Sequence, residues 1–372
     1  MLLALTNAQA QLFETRAKTA ILMDAETGSI LFQKDADTPF PPASMAKIMT
    51  MEVVFNALSD GSLRLTDTFT ISENAWRTGG ASSGGSTMFA ELDSEVAIAD
   101  LMRGVIVQSG NDAAIAIAEG MTGSERAFAN LMTERARALG LTTSVFTNST
   151  GLPDPGQRVT ARELAKLATH IIKSYPQYYA IYSEPEFEWN NINQRNRNPL
   201  LRMNIGADGM KTGFTEESGY GIVSSAVRGN QRLVAVLSGM SSTRERAEEA
   251  RKILDWGIRA FDKREILPDG EVIGGARVYG GETRSVDLTS QGPLVIFTPI
   301  GSTDRVRARI VYQGPLIPPV KAGQRVGELQ VFIEEKLSQQ VPLFAANDVE
   351  KGDLKRQALD ALEELALGWI EF

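Results

Sequence analysis

The chain reads as a mixed α/β protein of the α+β kind, in which an antiparallel sheet is flanked by helices and followed by a small all-β domain and a terminal amphipathic helix. Three observations predict this. Hairpin-like pairs of β-prone runs stand at 19–33 and 221–238; the residues between them have mostly helical apolar spacing; and beyond Lys263 the texture changes to short β-prone runs separated by Gly and Pro.

Taken in order, residues 19–24 and 29–33 are apolar runs joined by Ala25-Glu26-Thr27-Gly28, a hairpin turn. Pro39, Pro41 and Pro42 then hold the chain extended ahead of a helix over about 43–59. Asp60-Gly61-Ser62 is a turn, and 67–71 a short strand. Residues 78–87 hold four glycines among serines and threonines and read as a loop. No Gly-Lys-Ser/Thr ending follows, so a phosphate cradle is poorly supported. Helical spacing resumes over 98–107 and 112–119, broken by Gln108-Ser109-Gly110-Asn111, a polar turn in which Asn111 or Asp112 can equally be a plain helix cap. A helix over 124–139 ends at Gly140, and Thr160 caps another over 161–172 with Glu163 at the capping-box position. His170 falls late in that helix, where a surface or dipole role is expected. Strands over 221–227 and 233–238 join through Arg228-Gly229-Asn230-Gln231, and Lys211-Thr212-Gly213 should open the adjoining strand. A long helix over 243–261 closes the first domain. Runs at 284–288, 294–297, 306–312 and 326–332 build the β-domain.

Composition narrows the function. At 372 residues two domains are expected, and a formal net charge of −8 with pI near 5.1 argues against nucleic-acid binding. No apolar run approaches the roughly 18 residues needed to span a bilayer. Cysteine is absent and His170 is the single histidine, so neither a disulfide framework nor a zinc site of ordinary ligands can be assembled; no metal or cofactor is implied. Leu2-Leu3-Ala4-Leu5 followed by Ala8-Gln9-Ala10 reads as the remnant of an export signal over 1–10, with an unstructured terminus as the alternative.

The chemistry is carried by Ser44-Met45-Ala46-Lys47. A serine and a lysine three apart leave the same helix face, giving a nucleophile with a base beside it, and a helix N-terminus favours the negative charge that develops on attack at a carbonyl. S-x-x-K alone is expected about once by accident in a chain this long. For lysine to act as base, its pKa of about 10.4 must fall towards 7, and burial plus a nearby cation such as Lys211 are the means.

Ser44-x-x-Lys47, Ser109-Gly110-Asn111 and Lys211-Thr212-Gly213, in that order, resemble the three motifs of the penicillin-recognising serine enzymes. Ala43 through Thr50, Gly151-Leu152-Pro153-Asp154-Pro155-Gly156-Gln157 and Asn196-Arg197-Asn198 extend the likeness to the low-molecular-mass penicillin-binding proteins that are D-alanyl-D-alanine carboxypeptidases. The resemblance covers nearly the whole chain. It implies a β-lactamase/transpeptidase-like catalytic domain over 11–262, a β-rich domain over 263–350 and a membrane-associating helix over 351–372. By the same resemblance Ser44 attacks the penultimate D-alanine carbonyl, Lys47 takes its proton and Ser109 relays one to the departing D-alanine. The backbone N–H groups of Ser44 and Phe214 form the oxyanion hole; Lys211, Thr212, Gly213 and Arg197 bind the terminal carboxylate region, and Asn111 the peptide amide. Two departures stand out: Phe214 occupies a place where the family often has histidine, and the middle motif is Ser-Gly-Asn rather than Ser-Asp-Asn. No counterpart of the deacylating glutamate of class A β-lactamases is evident.

The implied partners are peptidoglycan stem peptides and β-lactams, in the periplasm on the outer face of the inner membrane. A D,D-endopeptidase, a β-lactamase of the same fold and a catalytically silent wall-binding protein remain as alternatives. In the tail, Leu354, Ala358, Leu362, Leu365, Trp369 and Phe372 fall on one helix face, with Asp353, Arg356, Asp360, Glu363, Glu364 and Glu371 on the other. That pattern suits a helix lying in a membrane surface, or one packed on its own β-domain.

Overall fold

The computed structural model describes residues 13–301 and 305–367, with the backbone alone for 359 and 362–367. The export-like stretch at the N-terminus and Trp369, Glu371 and Phe372 of the tail lie outside the described residues. Two compact units emerge, one of Phe13–Glu26 with Leu31–Arg259, the other containing Thr27–Ile30 and everything from Ala260 onward.

In the first unit the elements run β1 (Thr19–Asp24), β2 (Ile30–Lys34), α1 (Lys47–Ser59), β3 (Thr68–Thr70), β4 (Glu95–Ala97), α2 (Ile98–Arg103), α3 (Asn111–Thr122), α4 (Glu125–Ala138), α5 (Ala161–Ser174), α6 (Pro176–Tyr179), β5 (Glu186–Trp189), β6 (Ile192–Arg195), β7 (Ala207–Thr215), β8 (Gly219–Arg228), β9 (Gln231–Met240) and α7 (Thr243–Arg259). The α+β expectation holds: the main sheet has the order β2-β1-β9-β8-β7, with β1, β9, β8 and β7 paired antiparallel, and α5 and α7 pack on it. Its central strands are apolar and buried along most of their length, as strands covered on both faces must be.

Helix α1 is buried on nearly every side, which its apolar sequence allows and its two charges, Lys47 and Glu52, do not. Glu52 is accommodated by Arg135, whose guanidinium reaches Glu52 Oε1 at 2.7 Å. His170 lies against the same carboxylate, Nε2 to Oε1 3.4 Å, rather than free at a helix end. Thr160 caps α5 as expected, accepting from Glu163 N at 3.1 Å. The Glu163 side chain does not complete a capping box, however. It accepts from the backbone N–H groups of Thr143 and Ser144 at 2.8 and 2.7 Å, because a loop with unpaired donors competes for it.

The second unit holds β10 (Phe261–Leu267), β11 (Gly274–Arg277), β12 (Ser285–Thr289), β13 (Leu294–Pro299), β14 (Val306–Tyr312), β15 (Arg325–Ile333), β16 (Lys336–Ala345) and α8 (Leu354–Leu367). A five-stranded sheet, β11-β12-β16-β15-β14, buries Val286, Leu288, Leu329, Val331 and Leu343 on one face. One expected solvent-facing acid of the tail departs from its pattern. Asp360 is buried, its Oδ2 accepting from Gly280 N at 2.8 Å, because that backbone donor needs a partner. The opposite side of α8 is turned outward, with Leu354 84% exposed.

Candidate active site

Ser44 sits in a single 3-10 turn, Ala43–Ala46, that runs directly into α1, and Lys47 is the first residue of that helix. Lys47 Nζ is 3.2 Å from Ser44 Oγ, 2.7 Å from Asn111 Oδ1 and 2.6 Å from the Thr150 carbonyl oxygen. A neutral amine has two N–H bonds and one lone pair. Asn111 Oδ1 and the Thr150 carbonyl are acceptors only, so they take the two N–H bonds and leave the lone pair facing the Ser44 hydroxyl. Burial lowers the Lys47 pKa from 10.5 to about 7; Asp112 opposes the shift, Arg197 adds to it, and Glu125 opposes it. Arg197 assists burial at Lys47, and the expected Lys211 is coupled to it as well, each ammonium disfavouring the charged form of the other.

Three segments hold this arrangement. Asn111 opens α3, and the next residue, Asp112, turns its carboxylate back to accept from Thr87 Oγ1 at 2.6 Å and from Met88 N at 2.9 Å, fixing the end of the glycine-rich loop. Ser109 precedes them in a left-handed conformation, φ +67°, with its buried Oγ bound to no protein group. Second, Thr150-Gly151 crosses behind the nucleophile. Gly151 has φ +81°, and a Cβ there would stand 1.8 Å from the Ala43 carbonyl oxygen, so only glycine lets this loop deliver the Thr150 carbonyl to Lys47. Third, β7 carries Lys211, Thr212 and Gly213 past the Ser44 turn. The close approach expected of a strand glycine is real, since a Cβ on Gly213 would lie 3.1 Å from Pro42 O and 3.2 Å from Ser44 N.

Ser44, Ser109, Arg197, Thr212, Gly213 and Phe214 all line one cleft of about 800 Å³. Lys47, Asn111 and Lys211 stand buried behind it. Lys211 is held well below the ordinary lysine range by burial and then by Lys47, Arg197 and Arg246. His170 does not line the cleft.

A sequence profile described as D-alanyl-D-alanine carboxypeptidase matches residues 5–242. The chain belongs to this family. Membership makes it a serine-type carboxypeptidase, a hydrolase. A second profile, the C-terminal domain of penicillin-binding protein 5, matches 261–351. Among curated relatives, the carboxypeptidase DacC of Escherichia coli is 41% identical over 90% of this chain and 85% of its own. DacA of Haemophilus influenzae is 40% identical over 90% and 85%. Among solved structures, penicillin-binding protein 5 from H. influenzae superposes with a TM-score of 0.78 at 39% identity, over 91% of this chain and 99% of that one.

Within this carboxypeptidase, sequence reasoning missed Arg246 and Tyr220. Arg246 lies in α7, 8% exposed, with its Nε lacking a partner and its guanidinium 5.7 Å over the Tyr220 ring. Tyr220 in turn stacks on Phe214, centroids 4.2 Å apart. Phe214 thus replaces the family's frequent histidine with one end of an aromatic column, 49% exposed at the cleft wall. Arg246 sits among Arg244, Glu245, Glu248 and Glu249, where no periodic signal separates it from surface charge. A buried cation without a carboxylate is the structural signal that does.

Proposed function

We propose that Ser44 is the acylated nucleophile in removal of the terminal D-alanine from peptidoglycan stem pentapeptides, and that β-lactams acylate the same hydroxyl. The observation that carries this is the buried Lys47 with a pKa of about 7, its Nζ 3.2 Å from Ser44 Oγ. Neutral Lys47 accepts the hydroxyl proton as Oγ attacks the carbonyl of the penultimate residue. The oxyanion is received by the backbone N–H groups of Ser44 and Phe214. Ser109 Oγ relays the proton held by Lys47 to the departing amine as the peptide bond breaks; water then attacks the acyl-enzyme, one of its protons passing through Lys47 to Ser44 Oγ as the shortened peptide leaves. Lys211, Thr212, Gly213 and Arg197 hold the terminal carboxylate, and Asn111 bonds the amide on the acyl side. Arg246 adds positive potential at the carboxylate end.

Labelling with fluorescent penicillin followed by peptide mapping tests the assignment. The label is expected on Ser44 and lost in Ser44→Ala, which should keep its fold; a labelled or active Ser44→Ala protein overturns it. Turnover of a pentapeptide against a cross-linked dimer separates the carboxypeptidase from the endopeptidase reading.

The domain reading is a catalytic segment over 11–262, a β-rich segment over 263–350 and a docking helix over 351–372. We place the protein outside the inner membrane, exported through the 1–10 leader and held at the membrane surface by the tail. The exposed Leu354 and Ala358, on the side of α8 away from Asp360, support that reading. No helix among the described residues is long and apolar enough to cross a membrane.

A further inference from the structure

Four arginines, Arg195, Arg197, Arg202 and Arg246, line the cleft, and no aspartate or glutamate does. In a chain of formal net charge −8 this is a local concentration of one sign. The carboxypeptidase reading assigns Arg197, with Lys211, to a single carboxylate. Arg195 and Arg202 remain, both exposed, and neither has an ion pair within the chain among the described residues. Glu186 faces Arg195 across the β5–β6 pair but does not line the cleft.

The two arginines are presented by one clamped segment. Asn196, buried between them, donates from Nδ2 to the carbonyl oxygens of Tyr182 at 3.2 Å and Glu184 at 2.9 Å, while its Oδ1 accepts from Asn198 N at 2.9 Å. Asn198 Oδ1 accepts from Leu200 N at 3.0 Å, and Arg202 donates to the Asn196 carbonyl at 3.2 Å. Asn196 and Asn198 supply most of these bonds, Arg202 adds one of them, and Arg195 adds none. Like charges gathered along one cleft without a counter-charge repel one another, and such a cleft focuses field on an incoming anion.

We infer that Arg195 and Arg202 form an outer anion subsite that reads a second negative group on the substrate, so that the enzyme prefers stem peptides bearing a free side-chain carboxylate next to the D-Ala-D-Ala end. The inference rests on the carboxypeptidase reading for the direction in which the peptide lies. Its test is a matched pair, N-acetyl-Glu-D-Ala-D-Ala and N-acetyl-Gln-D-Ala-D-Ala, which differ by one charge at constant shape. At low salt kcat/KM for the acidic peptide should be about fivefold higher, through KM, the scale of exposed charge pairs. The preference should shrink in 0.5 M salt, about threefold above physiological ionic strength. It should vanish in the Arg195→Gln, Arg202→Gln double variant, whose kcat/KM for the neutral peptide is the internal reference. Equal kcat/KM for the two peptides in the parent enzyme, or a preference that survives in the double variant, overturns the subsite. Calorimetric binding of both peptides to Ser44→Ala reads the same preference without turnover: equal affinities there refute the subsite even in an inactive protein, whereas failure of penicillin to label the parent Ser44 refutes the carboxypeptidase reading instead.

Discussion

If Lys47 is the base, the rate of Ser44 acylation must follow the fraction of Lys47 that is neutral. With a pKa of about 7, that fraction is roughly a tenth at pH 6 and nine tenths at pH 8, so acylation at saturating β-lactam should rise about tenfold between them and level off above. The sign is set by the group: lysine is protonated and inert below its pKa and competent above it. Two charge changes should move the midpoint in opposite directions. Arg197 helps hold the pKa down, so Arg197→Gln should shift the limb to higher pH; Glu125 holds it up, so Glu125→Gln should shift it lower. Each shift should be a few tenths of a unit up to about one unit. Glutamine at 125 keeps an oxygen able to accept from Ser149 N and Oγ, as Glu125 Oε1 does at 3.2 and 2.8 Å, so the local fold survives. Stopped-flow acylation with a chromogenic cephalosporin from pH 5.5 to 9, read as the first-order limit so that weaker binding by the Arg197 variant does not intrude, measures all three profiles. A flat profile between pH 6 and 8, or midpoints that move in the same direction, refutes Lys47 as the titrating base.

Other outcomes follow from the same geometry. Between about pH 7 and 10.5 the unfolded chain carries a proton on Lys47 that the native protein lacks, so stability should increase with pH across that window, by about 5 kcal/mol from this group at most; urea unfolding at pH 7 and 9 should show a smaller increase in Lys47→Met. Gly151→Ala places a methyl against the Ala43 carbonyl and should slow acylation at least tenfold while lowering Tm by several degrees, checked by penicillin labelling and calorimetry. His170→Ala should leave acylation within about twofold, since the ring contacts Glu52 and lies off the cleft; a severe loss would reinstate a histidine mechanism. Deleting 354–372 should reduce liposome flotation, because Leu354 and Ala358 are exposed, and should lower Tm by a few degrees, because it takes the buried Asp360 away from Gly280 N; equal flotation with and without the tail removes the membrane reading.

What could be read in advance was whatever local pattern controls. The hairpins at β1–β2 and β8–β9 announce themselves by turn residues between β-branched runs, and Thr160 and Ser124 announce the starts of α5 and α4. The β5–β6 hairpin was not read in advance, because its strands are short and half polar, although its Asn190-Asn191 turn, with φ of +50° and +59°, uses the residue that tolerates this conformation best after glycine. In the second unit β10, β11 and β16 escaped because their sequences do not alternate. Lys336–Ala345 contains Gln339, Gln340 and Pro342, and Gly274–Arg277 is half glycine, so pairing with neighbours alone makes them strands. At the site, motif residues were legible because spacing fixes them to one turn or one strand. Arg246 was not, because what distinguishes it is the approach of Tyr220 from another strand; Asp360 was misplaced for the same reason, the decisive partner being a backbone N–H eighty residues away.

Helix α1 carries two buried charges that began from similar cost and ended in different roles. Glu52 meets Arg135 at 2.7 Å, and the pair holds α1 to α4. Lys47, five residues earlier, has no carboxylate within ion-pair distance among the described residues; its close oxygens belong to an amide, a peptide carbonyl and the Ser44 hydroxyl. Those acceptors satisfy N–H bonds without returning a full counter-charge, so the cheaper response to burial is to release a proton. Pairing Lys47 with an acid would stabilise the helix further and silence the base. The absence of that acid, together with Gly151 and Gly213 letting two backbones close around the Ser44 turn, is what converts a buried lysine from a structural charge into a reagent.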